Sequence, residues 1–505
     1  MTSAITWFLS GLLILASCSK SDPPRRSLKI SFNCHPTSSD PRKAGDFTSS
    51  TLVCMIYEGL TRCKGGGEVE LALAEKLEIS ANRTVYLFHL RKAYWTDGQV
   101  ITAADFERSW KQILSQPSSC TYLFYPIRNA ELCARGKISV EEVGIKALND
   151  RTLRVELERP TPYFYSLTAF PSFLPAKDDL TLYSGPFRIE KIAMNSEIVL
   201  KKNGSYWNRD QISLDEIHIS IVSDEMTALQ MFERGDLDWL GGSVSPLPPD
   251  AIDKLQNQIQ YLPCSASTFC AFNTETFPFN NIHLRKAFSL AINREEIVQR
   301  VTQGRQIAAR SVLPPSFSSQ SFPLFDPTKA RIEFEQGLAE LGIKPQELET
   351  LILYFKTSLI DKQLAQTLQQ QWKEVLGVTV QLGQLDFKSH AAQLQAKTYL
   401  LSLASWIAPF DDPISLLDRF RDRTHLKNYP GWERTEYNRL LNEAAVAISS
   451  VRTGLLMEAE ELLVRDTPLA PIYHWSSPAL CSPRVKQIAV TPSGGILFEK
   501  FRREE

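Results

Sequence analysis

The stretch that decides the fold class is TVYLFHLRKAYWTDGQVITAADF, residues 84–106. Its first eight residues, 84–91, alternate as a β-strand does, and residues 95–98 predict a hairpin-like turn. Thr102 then predicts the N-cap of a helix, with Asp105 three positions on as in a capping box. A strand, a turn and a capped helix follow one another here, as in domains of mixed α and β structure.

Elements of the same kinds occur on both sides of this stretch. Residues 28–32 and 217–221 alternate, which predicts strands. Residues 224–234 have a helical period that ends at Gly235, a residue suited to a helix C-cap. This succession predicts an α/β fold with mixed sheets flanked by helices.

The second half of the chain continues the pattern. A strand at 351–354, a helix at 364–376 and a strand at 378–382 predict one βαβ unit. A long helix is predicted at 284–301 and a further strand at 469–475, so the chain ends in β structure.

Composition limits the functions that are open to the chain. Its 505 residues, 43% of them hydrophobic, are enough for two or more lobes, because roughly 100–200 residues make one domain. The 56 basic and 57 acidic side chains give a net charge of −1. No overall field therefore favours a polyanionic partner, and we expect no nucleic-acid binding.

The first residues predict export. Residues 5–15 form an apolar run that is shorter than the ~20 residues of a membrane-spanning helix, which is typical of a signal-peptide core. The run ends in Leu15-Ala16-Ser17-Cys18, which resembles the lipobox of bacterial lipoproteins. We expect a signal peptide at 1–17, lipid on Cys18 and a polar tether at 18–27. The protein would then be periplasmic and anchored to a cell membrane by its lipid.

The sequence offers no recognisable set of catalytic or metal-binding residues. Neither Gly-x-Ser-x-Gly nor His-Glu-x-x-His occurs, no Cys-x-x-Cys is present, and the seven histidines are scattered. We therefore expect no enzyme activity, no cofactor and no metal. An exported protein can pair an even number of cysteines, so we expect buried thiols with one or two disulfides among Cys34, Cys54, Cys63, Cys120, Cys133, Cys264, Cys270 and Cys481.

Several short motifs occur in an order that resembles one family. They are YLFHLR at 86–91, WTDG at 95–98, TAADF at 102–106, GPF at 185–187, NGSYW at 203–207, LRKAF at 284–288, AINR at 291–294 and LAPIY at 469–473. Together they resemble the extracellular solute-binding proteins of ABC importers, which include oligopeptide-, dipeptide- and nickel-binding proteins. The resemblance covers most of residues 28–490. It implies a substrate-binding lipoprotein that binds peptides in a cleft between lobes and delivers them to a permease for import.

The resemblance also implies a domain organisation. Such proteins have two lobes of α/β structure joined by a hinge, with an extra α+β domain inserted in the first lobe. We expect the chain to cross between the lobes near Phe272 and again near Tyr473. The predicted ranges are 28–65, 176–270 and 479–505 for the first lobe, 66–175 for the inserted domain and 271–478 for the second lobe.

The expected binding loop departs from the family at one position. In the family a loop that begins with Trp supplies backbone groups, and peptide binders have an Asp three residues later that holds the ligand's ammonium group. The matching loop here has Trp406, but it has Pro409 at the Asp position, and proline has neither charge nor N–H. Either Asp411 or Asp412 reaches the same space, or the ligand has no free amino terminus there.

The ligand's other end shows a second departure. Leu403 stands where an oligopeptide binder can place an Arg for the ligand carboxylate. Trp406 could also be a buried aromatic residue, and Asp411 and Asp412 could cap the turn before Pro413. The predicted ligand-lining residues are Ser405, Trp406, Asp411, Asp412, Asp46, Phe47 and Tyr122.

Three alternatives stay open from sequence. The expected partners are a peptide or peptide-like ligand, an ABC permease and the membrane that holds the lipid, and we expect a monomer. Because the usual anchor is missing, the ligand could instead be a muropeptide, a glutathione-like peptide or a metal chelate. The other two alternatives are a lipoprotein hydrolase, which lacks a nucleophile motif, and a surface lipoprotein that has kept the fold without transport.

Overall fold

The computed structural model describes residues 26–503 apart from 66–67, 117, 119, 256, 304, 318–324, 349, 409, 448 and 492. The predicted signal peptide, the lipidation site Cys18, most of the tether and Pro409 lie outside the described residues. The longer helices are Phe47–Ile56, Ala103–Ser115, Glu225–Glu233, Pro249–Lys254, Ile282–Leu290, Arg294–Arg300, Pro327–Leu341, Leu359–Leu376, Phe387–Ala396, Thr435–Val446 and Ser449–Asp466, and the short ones are Ala130–Ala134, Phe164–Leu167 and Ile414–Leu417.

A four-stranded sheet forms the centre of the first lobe. Strand Ser27–Phe32 pairs parallel with Glu216–Ile221, which pairs antiparallel with Glu197–Lys202, and Phe187–Ala193 completes the sheet. The strands predicted at 28–32 and 217–221 are confirmed. Their alternation places Leu28, Ile30, Ile217 and Ile219 in the core.

A second four-stranded sheet lies in the range predicted for the inserted domain, and its strands are Ala74–Ile79, Val85–Leu90, Ile145–Asn149 and Thr152–Glu156. Helix Ala103–Ser115 packs on this sheet. The backbone N–H of Thr102 donates to the Asp105 carboxylate at 2.9 Å, so the predicted capping box is confirmed. Trp110 is fully buried, and its indole N–H donates to the carbonyl of Phe173 at 2.8 Å. The boundaries of this domain stay a prediction.

Two 13-residue strands, Gln260–Phe272 and Leu469–Cys481, join the two lobes. They pair antiparallel, and Leu480 packs in a core of the first lobe whereas Ile472 packs in that of the second. Phe272 ends one of these strands, and Tyr473 lies within the other. That the hinge lies near these two residues stays a prediction. The boundaries predicted at residues 270 and 478 fall inside the strands.

The long strands belong to a seven-stranded mixed sheet. Its other strands are Trp239–Gly241, Ile307–Ala308, Ile352–Lys356, Gln381–Leu385 and Leu401–Ile407. Two-stranded sheets are formed by Thr61–Gly65 with Glu68–Leu71 and by Val485–Lys486 with Arg502–Arg503. Mixed sheets flanked by helices in two lobes confirm the predicted fold class.

The predicted βαβ unit is confirmed in the second lobe. Strands Ile352–Lys356 and Gln381–Leu385 pair parallel, and helix Leu359–Leu376 connects them. The helix ends at Gly377, which adopts φ +72°, a conformation that glycine tolerates without strain.

The single helix predicted at 284–301 is wrong, because the structure has two helices there, Ile282–Leu290 and Arg294–Arg300. Asn293 is the N-cap of the second helix, and its side chain accepts from the backbone N–H of Glu296 at 3.2 Å. The guanidinium of Arg294 is buried and donates to the carbonyl of Pro471 at 2.6 Å. These contacts end the first helix although the apolar period continues.

The expected disulfides are also wrong. Cys34, Cys54, Cys63, Cys133, Cys264, Cys270 and Cys481 are free thiols, so no two of these described cysteines are joined. The cores of a chain this long bury enough apolar surface to be stable without cross-links. In the part of the chain that the structure describes, no helix combines the length and apolar character needed to cross a membrane.

Replacement of Trp110 by Phe tests whether the hydrogen bond of its indole N–H stabilises the fold. The change leaves the buried carbonyl of Phe173 without its donor, so the free energy of unfolding should fall by about 1–3 kcal/mol. Urea unfolding followed by circular dichroism measures this difference. An unchanged midpoint would show that the hydrogen bond from Trp110 to Phe173 contributes nothing to stability.

Candidate functional site

A cavity of about 710 Å³ lies between the lobes. Its wall includes residues of helix Phe47–Ile56, the C-terminal segment 487–502 and strand Leu401–Ile407 with the loop after it. The range predicted for the inserted domain contributes Tyr122 and residues near Phe170. Pockets of about 300–1,000 Å³ are typical of small-molecule sites, so this cavity is of suitable size for a small ligand.

The structure brings six of the seven predicted residues to this cavity: Asp46, Phe47, Tyr122, Ser405, Trp406 and Asp411. Asp412 does not line it. Its carboxylate accepts from the backbone N–H of Ile414 at 3.0 Å and from the Arg452 guanidinium at 2.8 Å. Asp412 therefore caps the turn at Pro413, as the second interpretation has it, and the prediction that it lines the cavity is wrong.

Asp46 has a structural role at the cavity wall. Its carboxylate is the N-cap of helix Phe47–Ile56 and accepts from Ser49 N–H at 2.8 Å and from the hydroxyls of Thr48 and Ser49 at 2.7 and 2.6 Å. Burial alone would raise the pKa of Asp46, but these hydrogen bonds and that of Thr37 hold it below its ordinary value. Contact of Asp46 with a ligand stays a prediction.

Trp406 is both buried and part of the cavity wall. Its ring lies 4.1 Å from that of Phe269 and 5.2 Å from that of Phe420, measured between centroids. The indole N–H is shielded from water and has no hydrogen-bond partner among the residues that the structure describes. A buried donor of this kind is costly unless something accepts from it, and a ligand in the cavity could do so.

Strand Leu401–Ile407 reaches the cavity with Ser405, Trp406 and Ile407, and one of its edges is only partly paired. On one side it pairs with Gln260–Phe272 along its whole length. On the other side it pairs with Ile352–Lys356 only at Leu401 and Ser402. Residues 403–407 therefore have no strand beside them on that side within the described ranges.

Arg419 is a cavity residue that the sequence did not indicate. Its side chain is 8% exposed and its guanidinium lies 5.5 Å from the centre of the Trp406 ring. It donates to the carbonyls of Ser415 and Ile407 at 3.3 and 3.1 Å. Burial lowers the pKa of Arg419, and no carboxylate of the described chain forms an ion pair with it. The only signal in the sequence was that Arg419 is a basic residue in the mainly apolar range 414–420.

The opposite charge is found in the C-terminal segment. Glu499 lines the cavity, and its Oε2 atom is buried without a hydrogen-bond partner in the described part of the protein. Burial raises the pKa of Glu499 to about 7, although Lys500 acts in the opposite direction. In the sequence Glu499 is one of several charged residues in 499–505, and this stretch carries no pattern from which its position at the cavity could be predicted.

The other buried acid of this region is already paired. Glu58 accepts from the Tyr206 hydroxyl, from the Trp207 indole N–H at 3.3 Å and forms an ion pair with Arg62 at 3.6 Å. Arg62 also donates to Glu70 at 2.7 Å. Burial raises the pKa of Glu58, and Arg62 opposes this shift.

An interlobe cavity with an open strand edge and unpaired charges is typical of a two-lobed ligand-binding protein. The chain belongs to the bacterial extracellular solute-binding proteins, family 5, whose middle part matches residues 68–428.

The relatives agree with this assignment. The oligopeptide-binding protein OppA of Bacillus subtilis is 32% identical, and the match covers 98% of each chain. The structure of Listeria monocytogenes OppA bound to peptide is 26% identical, with a TM-score of 0.76 over 96% of this chain and all of its own. The murein tripeptide-binding protein MppA of Escherichia coli shares the fold, with a TM-score of 0.79 at 24% identity over 96% of this chain and 99% of its own.

Glu499 should make the stability of the protein depend on pH. Its pKa is about 7 in the folded protein and has an ordinary value of 4.5, so the folded state binds the proton more tightly. The resulting stabilisation is fully present below about pH 4.5 and is lost as the pH rises through about 7. Glu499→Gln removes this pH-dependent stabilisation. The difference in free energy of unfolding, variant minus wild type, should therefore increase from pH 5 to 7 and then level off.

Urea unfolding at a series of pH values measures this difference. The groups that act on Glu499 are Lys500, Glu58 and Arg62. Lys500→Met removes the cation that favours the ionised carboxylate, so it should move the transition to higher pH. A difference between Glu499→Gln and wild type that does not vary with pH would contradict the assignment.

Proposed function

We propose that this protein is the substrate-binding component of an ABC importer, which binds a peptide or peptide-like ligand in the interlobe cavity and delivers it to the permease. The strand edge at Ser405, Trp406 and Ile407 carries the proposal, because these residues line the cavity and an extended peptide can add to an unpaired strand through main-chain hydrogen bonds. The Listeria relative, whose structure is that of a complex with peptide, supports this ligand class.

The same proposal includes the setting of the protein. Cys18 would carry the lipid that holds a periplasmic monomer to a cell membrane, after removal of residues 1–17 as a signal peptide. Membership of an extracellular family supports export. The protein would bind its ligand without changing it, because its relatives are named as binding proteins.

The function can be tested with the ligand that the purified protein retains. Native mass spectrometry should show a mass above that of the chain, and release of the ligand should give peptides or peptide-like compounds. Tri- to pentapeptides should then bind at micromolar Kd, and small-angle scattering should show contraction on binding. Peptide turnover would indicate a hydrolase, and binding without any contraction would favour a surface lipoprotein that does not transport.

A specialised ligand is a second candidate, favoured by Pro409 at the position where family members that bind peptides place an Asp. A muropeptide, a glutathione-like peptide or a metal chelate would satisfy this observation, since each can lack an ordinary amino terminus at that point. Competition by ordinary tri- to pentapeptides distinguishes the candidates. Absence of competition with a retained natural ligand would favour the specialised carrier.

Trp406→Phe tests the indole N–H. An aromatic ring stays beside Phe269 and Phe420, while the unpartnered donor and part of the indole ring are lost. If the ligand accepts from the N–H, calorimetry should show an affinity about 3-fold to 10-fold lower, at a temperature where circular dichroism shows the variant to be folded.

The matched control is Trp475→Phe, because the Trp475 indole N–H already donates to the Thr268 hydroxyl at 2.9 Å and the residue does not line the cavity. This variant should lose stability and keep its affinity. Equal affinity of the Trp406 variant and the wild type would remove Trp406 from the contacts.

A further inference from the structure

Phe387 is the most exposed large apolar side chain of the residues that the structure describes, and it lies at the cavity. The side chain is 75% exposed, yet it lines the same cavity as Trp406. Its ring is not part of any hydrophobic core of the described chain. Single apolar residues are ordinary on an outer surface, but an uncovered ring in the wall of a ligand cavity is a surface that a ligand can cover.

The start of a helix sets the direction of this side chain. Asp386 is the N-cap of helix Phe387–Ala396, and its carboxylate accepts from the backbone N–H groups of Lys388 and Ser389, both at 3.0 Å. Phe387 is therefore the first residue of the helix. Because the Cα–Cβ bonds of a helix tilt toward its N-terminus, the side chain of a first residue extends past the helix end.

A peptide that adds to the strand edge at the cavity has a defined place in the sheet. Strand Ile352–Lys356 pairs with Leu401–Ile407 as far as Tyr354, which is opposite Ser402, and the pairing then stops. A ligand strand beside residues 405–407 would take the place that Ile352–Lys356 would hold if this pairing continued. Its backbone would then lie about 4.8 Å from that of Leu401–Ile407.

Phe387 lies on the far side of that place. Tyr354 is also opposite Gly383 of the next strand, and this register continues to the strand's end at Leu385. Continued by two more residues, it puts Phe387 level with Trp406 and two strand spacings away, roughly 10 Å. The ligand strand would fill the space between them. That Phe387 and Trp406 line one cavity agrees with this placement.

The ring would favour one kind of ligand side chain. A bulky apolar side chain that packs on Phe387 removes apolar surface of both partners from water, whereas alanine covers little of the ring. A charged side chain there would lose part of its hydration without a partner from Phe387.

We propose that Phe387 is a specificity-determining residue, which selects peptides that carry a bulky apolar side chain at the residue lying between Phe387 and Trp406. This inference rests on the proposed function and specifies the ligand class of the same cavity. It concerns a ligand side chain and does not depend on how the two ends of the peptide are held.

An alanine tetrapeptide in which one leucine replaces each alanine in turn tests this preference. Calorimetry with the full chain should show at least one position at which leucine binds to wild type about 10-fold more tightly than alanine. Phe387→Ala should reduce this gain to about 2-fold and change the affinity for tetra-alanine itself by less than about 2-fold. Phe387→Leu should keep most of the gain, because the side chain stays large and apolar.

The matched control is Ile332→Ala. Ile332 is a 60% exposed apolar residue of helix Pro327–Leu341 in the second lobe and does not line the cavity. This variant should keep the whole gain from leucine. Since Phe387 and Ile332 are both exposed, neither replacement should alter folding, which circular dichroism checks.

The inference is overturned if wild type binds the leucine and alanine peptides equally at every position, or if Phe387→Ala keeps the whole gain. The proposed function stands in both cases, because peptides still bind. Where none of these peptides binds, the retained ligand is measured instead: Phe387→Ala should hold it about 10-fold more weakly than wild type, and equal affinity overturns the inference. If wild type neither binds a peptide nor retains a peptide-like ligand, the proposed function itself fails.

Discussion

The antiparallel pairing of Gln260–Phe272 with Leu469–Cys481 is the constraint on which the rest of the molecule depends. Cores of both lobes are built on these two strands, so their pairing links the two lobes. The strand that lines the cavity, Leu401–Ile407, pairs with the first of them and is fixed in the same way. The rings of Tyr163 and Phe410 stack with their centroids 4.8 Å apart, which adds a contact between the ranges predicted for the inserted domain and the second lobe.

The ionisable groups of the cavity divide according to whether the protein satisfies them. Asp46 accepts hydrogen bonds from the helix that it caps, and Glu58 is bonded to Tyr206, Trp207 and Arg62. Such groups hold the wall in place, because their hydrogen-bonding capacity is used within the fold. Arg419 and Glu499 have charge or hydrogen-bonding capacity left over, as has the indole N–H of Trp406. The capacity of these groups is not used by the described part of the fold.

Local signals in the sequence predicted the fold well where the deciding contacts are also local. The Thr102 and Asp105 pair and the βαβ unit that stops at Gly377 are of this kind. The break between Leu290 and Arg294 was missed because Asn293 caps a helix within a continuing apolar period. Disulfides were expected from compartment and cysteine number, neither of which contains any information about distance.

The site was predictable in part for the same reason. The loop of Trp406 was found by motif, and with it Ser405 and Asp411, but Asp412 bonds to Arg452, which is 40 positions away in sequence. Glu499 reaches the cavity only because the C-terminal segment folds back onto the first lobe, where Phe498 and Phe501 pack against Trp239. Contacts across such separations leave no periodicity in a single sequence.

The positions of these charges also bear on closure. Glu499 is held to the first lobe through its neighbours Phe498 and Phe501, whereas Arg419 and Trp406 lie on the second. A ligand that bonds to groups of both lobes has contacts that exist only when the lobes are together, so it favours the closed state by their free energy. A ligand bonded to one lobe alone would gain nothing from closure. Because residues of both lobes line the cavity, a ligand that fills it contacts both of them only when they are together.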